Sequence, residues 1–167
     1  MERVEITNQI QELAASACLE LLQAYGVKAT ASNEPWRSTG EVMLAGVMGF
    51  VSERLVGSCL VAGSREVLMA TAPSDAPPRD WVGELANQLV GRLKSKLLGH
   101  GVTITMNTPV VLSGISLSPL PRTEVAPAVH WTPSGQLLVW VEVDVDPLFT
   151  WGEPQDLAAT EGGLVVF

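Results

Sequence analysis

Seven apolar residues between Asp80 and Leu98 fall on one side of a helix. Taking about 100° per residue and setting Glu84 at zero, Val82, Leu85, Ala86, Leu89, Val90, Leu93 and Leu97 span roughly 100° to 240°. Asn87, Gln88, Gly91 and Ser95 lie within about 60° of Glu84 on the other side. A helix polarised in this way has to lay its leucine side on a second layer. It then holds Glu84, Asn87 and Gly91 outward. Asp80 is expected to be its N-cap, and Gly99 and Gly101 to close it.

The rest of the chain supplies the second layer. Ile6, Ile10, Leu13, Ala14, Ala17 and Leu21 predict a first helix over residues 5–25, stopped at Gly26. A short strand is expected within Val27–Asn33. Val42–Phe50 and Arg54–Ala62 read as a hairpin turning at Ser52-Glu53. Ser64 is placed to cap a short helix over 65–72, and Ala72–Arg79 is a proline-rich connector. Val102–Met106, Val110–Leu117, Val125–Trp131 and Leu137–Val145 are expected strands. In the last of these the odd-numbered residues are apolar, with Glu142 and Asp144 on an opposite, solvated face. Helices at the start and middle, with strands in consecutive runs, predict an α+β fold. It is a mostly antiparallel sheet packed against two long helices and one short one.

The length of 167 residues suits one domain over 1–167, with 146–167 set apart as an atypical tail. Apolar residues make up 47% of the chain and charged residues 17%, with a mean hydropathy of +0.26. That is globular, and apolar enough to favour an oligomer or a docked partner. The formal net charge is -8 with no basic stripe, which argues against nucleic-acid binding. If a phosphoryl group is handled, its positive counter-charges are expected to come from elsewhere.

Cys18 and Cys59 sit apart in apolar runs and are expected to be buried, reduced thiols. The polar start is unlike a signal peptide and no apolar run is long enough to span a bilayer, so no membrane insertion and a cytoplasmic location are expected. His100 and His130 lack neighbouring ligands, so no metal site is expected, and His100 is placed to interact with the end of the helix it follows.

Glu84 and Asn87 share a face, and a carboxylate beside an amide can grip a partner and orient a water molecule. The pair by itself says little, because Glu5 and Asn8 repeat it at the start of the first helix. Gly91 leaves two readings open. Glycine inside a helix costs about 1 kcal/mol relative to alanine. Either something approaches it closely or it packs against its own chain.

Context separates the two copies. Asp80, Glu84 and Asn87, with Pro109 downstream, resemble the signature of the CheC, CheX and FliY phosphatases of bacterial chemotaxis. Ala45–Phe50 followed by Val56–Leu60 is similar to that family's glycine-punctuated hairpin, and Pro109–Gly114 to its strand after the helix. The resemblance covers roughly residues 5–146, and one good motif copy makes the chain more CheX-like than CheC-like. Pro109 stands one residue closer to Asn87 than the family spacing.

The resemblance implies a protein phosphatase acting on the phosphoaspartate of a CheY-like response regulator. Asn87 would orient the attacking water and Glu84 would pair with a lysine of the regulator. Gln88, Gly91 and Ser95 would extend the docking surface. The chain would need no cofactor of its own, with Mg2+ on the regulator, and would form a homodimer through strand or sheet-edge pairing. The alternative is a non-catalytic interaction or sensory module on the same fold. FliM resembles the fold without the Glu and Asn pair.

Overall fold

The computed structural model describes residues 3–120 and 125–154. Three helices, α1 (Arg3–Ala24), α2 (Arg65–Met69) and α3 (Pro78–Leu98), accompany seven strands. These are β1 (Thr30–Ser32), β2 (Val42–Val51), β3 (Leu55–Ser64), β4 (Thr105–Met106), β5 (Val110–Ile115), β6 (Ala128–Thr132) and β7 (Gly135–Val145). They form one antiparallel sheet in the order β1-β6-β7-β3-β2-β4, with β5 also paired to β2. The expected α+β class holds.

The leucine side of α3 lies on β2, and α1 lies beside it over β7. Their buried residues, with Met48, Phe50, Cys59, Val61, Val139 and Val141 of the sheet, form the main core. Gln11 ties α1 to the sheet, donating to the Val139 carbonyl at 3.0 Å and accepting from the Val141 amide at 2.7 Å. A Lys96–Glu20 ion pair of 2.6 Å joins the far end of α3 to α1. Ser64 caps α2 as expected, its side chain accepting from the Val67 amide. Both cysteines are free and buried, and burial raises both thiols above their ordinary range.

The start of α3 corrects one expectation. The helix begins at Pro78, and Asp80 is not its cap. Pro77 occupies the cap position in an extended conformation, with no side-chain capping bond. Proline at the first helical position brings a fixed φ and no amide hydrogen to satisfy, so it starts the helix three residues early. Asp80 instead falls in the first turn, where its charge faces the positive end of the helix dipole.

Two further differences have physical causes. The strand expected over Val102–Met106 is only Thr105–Met106, because Val102 is taken up in closing α3. Its amide donates back to the Leu97 carbonyl after Gly101 turns at φ +76°. Glu142 is only 8% exposed, so that face of β7 is covered there and solvated only toward Asp144. A second small core of Met43, Ala45, Ala62, Val129 and Leu138 forms there, with Trp36, Leu60 and Leu117 against it. Asp144 is exposed and pairs with Arg3.

His100 bonds the helix end through its backbone amide, which donates to the Leu97 carbonyl at 2.9 Å, and not through its side chain. Its Nδ1 lies 3.0 Å from the Gly152 carbonyl, and its ring stacks on Trp151 at 4.4 Å. The start of the tail is thereby held against the end of α3. The apolar stretch Leu164–Phe167, which by composition is expected to dock on the domain, lies outside the described residues.

Candidate functional site

The site is built on the outward stripe of α3. Glu84 is exposed, and Asn87, Gln88 and Gly91 are half-buried. Val82, Leu85, Ala86, Leu89 and Val90 are buried on the opposite side and set the helix rotation. Packing therefore fixes which way the motif points.

Pro109 explains the other end of the motif. It opens the strand that pairs with β2, and it packs over the first turns of α3. A Cβ added to the buried Gly83 would meet Val111 at 3.5 Å and Pro109 at 3.7 Å. The segment Asn107–Pro109 then forms a wall facing Asp80, Glu84 and Asn87. Between wall and helix lies an open groove of about 670 Å3 that also includes Arg79, Gly83 and Met48. The Asn107 amide donates to the Gly49 carbonyl at 2.9 Å, which anchors the wall to β2.

Within the stripe the side chains bond one another. Gln88 Nε2 donates to Glu84 Oε1 at 2.9 Å, and Asn87 Nδ2 approaches Glu84 Oε2 at 3.5 Å. A carboxylate only accepts, so the face of the Asn87 amide toward it is the NH2. The Asn87 carbonyl oxygen is left as an acceptor. Among the described residues Gly91 has nothing within 4 Å of where a Cβ would stand, so packing against them does not explain it. Ser95 lies one turn on, its hydroxyl donating to the Gly91 carbonyl at 3.3 Å.

The structure thus brings Glu84, Asn87 and Gln88 together and strings Gly91 and Ser95 along the same face. Asp80 joins them as a groove residue. The decoy pair Glu5 and Asn8 is exposed in the first turns of α1, away from any such wall. Sequence reading missed Arg79 and Thr108 as groove residues, and Tyr25 altogether. Tyr25 donates its hydroxyl to Gln88 Oε1 at 2.7 Å. Trp81 packs at the helix start, its indole N–H donating to Thr71 Oγ1 at 3.0 Å.

Other titratable groups stand apart. His130 is buried on β6, and burial lowers its imidazole below the ordinary range, outweighing a backbone contact at Ala15. Among the described residues no group of three or more His, Cys, Asp or Glu is placed to hold a metal ion. None of the described helices is long and apolar enough to cross a membrane.

The family model for chemotaxis phosphatase CheX matches residues 44–127, just over half of the chain, and takes in the hairpin, α3 and Pro109. The chain belongs to the CheX family. Its fold is similar to CheX of Vibrio vulnificus, at a TM-score of 0.67 and 17% identity over 81% of this chain and 99% of that one. CheX of Desulfovibrio desulfuricans gives a TM-score of 0.66 at 21% identity, covering 81% of this chain and 99% of that one. CheX of Borrelia burgdorferi, in a complex with CheY, BeF3 and Mg2+, gives 0.56 at 13% identity, covering 82% of this chain and 97% of that one. A comparison with curated proteins finds no match. At these identities the structural likeness speaks for the CheX fold, and the family model carries the membership.

Proposed function

We propose that this CheX-family protein hydrolyses the phosphoaspartate of a CheY-like receiver domain in a two-component pathway of the cytoplasm. The observation that carries the reading is the open face of α3. Glu84 and Asn87 stand side by side on the open groove, and no hydrogen bond among the described residues engages the Asn87 carbonyl oxygen.

Phosphoryl transfer depends mainly on positioning and electrostatics. The Asn87 carbonyl oxygen accepts a hydrogen bond from a water and holds it in line with the phosphorus. The water oxygen bonds to phosphorus as the bond from phosphorus to the aspartyl oxygen breaks. The carboxylate is the leaving group, and the water's protons pass to phosphate and solvent. An amide is too weakly basic to remove the proton itself, so its contribution is orientation. The positive charges that offset the phosphoryl group, Mg2+ among them, are taken to lie on the regulator. The Borrelia burgdorferi complex supports a CheY partner for this fold.

Glu84 serves docking. Two of its lone-pair positions hold Asn87 and Gln88, and the others remain for a cation of the partner. Glu84→Gln keeps an acceptor on the stripe and removes the charge. Affinity for the phosphorylated receiver is expected to fall roughly tenfold, as for loss of a charge-assisted bond. Titration of a labelled receiver measures it; equal affinity for Glu84→Gln and the parent protein would remove Glu84 from docking.

The chain is further proposed to form a homodimer along the free edge of β5. Among the described residues that strand pairs with β2 alone, and it carries Val110, Leu112 and Ile115 at 58%, 46% and 67% exposure. Sedimentation equilibrium is expected to give twice the chain mass, and Ile115→Lys to shift it toward the monomer.

A further inference from the structure

We propose that Tyr25 is a positioning residue for the site, setting the orientation of the Asn87 amide through Gln88 and Glu84. The inference rests on the reading of Asn87 as the group that holds the attacking water.

The hydrogen bonds converge on the Glu84 carboxylate. Tyr25 donates its hydroxyl to Gln88 Oε1 at 2.7 Å, and Gln88 Nε2 donates to Glu84 Oε1 at 2.9 Å. Asn87 Nδ2 faces Glu84 Oε2 at 3.5 Å. The carboxylate only accepts, so it faces the NH2 of both amides, and what Tyr25 adds through Gln88 is where that carboxylate is held. The phenol proton fixes the Gln88 carbonyl toward Tyr25, which turns the Gln88 NH2 toward Glu84. The carboxylate, held there, presents its second oxygen to the Asn87 NH2. The Asn87 carbonyl is then turned outward. Gln88 is engaged at both ends, which makes it a link in this chain before it is a contact for a partner.

The origin of the chain is itself anchored. Tyr25 follows the last turn of α1, its amide bonded to the carbonyls of Leu21 and Leu22 at 3.3 and 3.1 Å. Its ring meets Trp81 edge-on at a centroid distance of 5.6 Å, and Trp81 is only 8% exposed. A residue outside the stretch matched by the family model, 44–127, therefore reaches into the middle of it.

The effect expected is one of population. An unrestrained Asn side chain distributes over three χ1 wells. Exposed neutral hydrogen bonds are individually modest. Together they favour one well, so losing them lowers the fraction of molecules with the amide oxygen correctly turned, and lowers kcat without weakening docking.

The test uses the full chain with a CheY receiver phosphorylated from acetyl phosphate in Mg2+. Tyr25→Phe keeps the ring against Trp81 and removes only the hydroxyl. It is expected to lower kcat about threefold with KM unchanged. Gln88→Ala is expected to do the same, and the double variant to be no worse than Gln88→Ala alone. A parental kcat for Tyr25→Phe, or a further threefold loss on adding it to Gln88→Ala, would overturn the relay. A second readout is independent of activity. The χ1 couplings of Asn87 by NMR are expected to show one rotamer in the parent and averaging in Tyr25→Phe; identical couplings would overturn the relay. If the parent protein leaves the receiver's phosphate lifetime unchanged, the proposed function fails, and the relay stands or falls on those couplings.

Discussion

Asn87→Ala is expected to abolish acceleration of receiver dephosphorylation, by at least about 100-fold, while leaving stability within about 0.5 kcal/mol of the parent. Two separate facts combine in this expectation. The chemistry needs one acceptor placed where a water can be held in line with phosphorus, and the described groove has one side-chain amide on its helical wall that is turned outward. The fold needs little from it, since Asn87 is half-buried and its one side-chain bond is the long 3.5 Å approach to Glu84. Asn87→Asp is expected to fail as well, because a second carboxylate that close to Glu84 replaces an attraction with a repulsion. Phosphate release from the phosphorylated receiver, with circular dichroism and urea unfolding alongside, measures both. Retention of more than a tenth of parental activity in Asn87→Ala would remove the water-holding role. A loss of activity matched by a loss of fold would show that the residue is structural.

What the sequence conveyed and what it hid follow from the range of the interactions. The rotation of α3 was legible because a helix repeats every 3.6 residues, and seven apolar side chains agree on one direction. The hairpin of β2 and β3 and the alternation of β7 were legible for the same local reason. Asp80 was misplaced because two start signals compete there, and proline at the first helical position outweighed an acidic side chain two residues on. Glu142 was misplaced because alternation names two faces without saying that both are covered. Tyr25 could not be found at all. It meets Gln88 across 63 residues of sequence, and no local pattern marks a hydroxyl at the end of one helix as belonging to the face of another. The motif residues were thus visible as a set, while the bonds that orient them were visible only in three dimensions.

The second large effect comes from the glycine-punctuated hairpin, where the fold and the site share one contact. Gly46 pairs with Val61 and Val111 in the centre of β2 and lies directly under α3. A Cβ there would stand 2.7 Å from the Val82 carbonyl oxygen and 2.9 Å from Ala86 Cβ. Gly46→Val is therefore expected to cost about 3 kcal/mol, the upper part of the range for overpacking. The closest obstruction is helix backbone, so a smaller side chain on α3 relieves only part of it. Ala86→Gly removes the second contact and leaves the first, and it adds about 1 kcal/mol of helix propensity cost. The surviving folded molecules carry α3 lifted from β2, and with it Asn87 shifted relative to the wall at Asn107–Pro109, which is fixed to β2 through Gly49. A shift of about 1 Å in a positioned group can cost 100-fold in rate, so activity per folded molecule is expected to fall steeply in a variant that keeps every motif residue. Urea unfolding and phosphate release on the same sample separate the two losses. Stability within about 0.5 kcal/mol of the parent would show that α3 has room to rise. Full activity per folded molecule would show that the spacing of helix and wall does not set the chemistry.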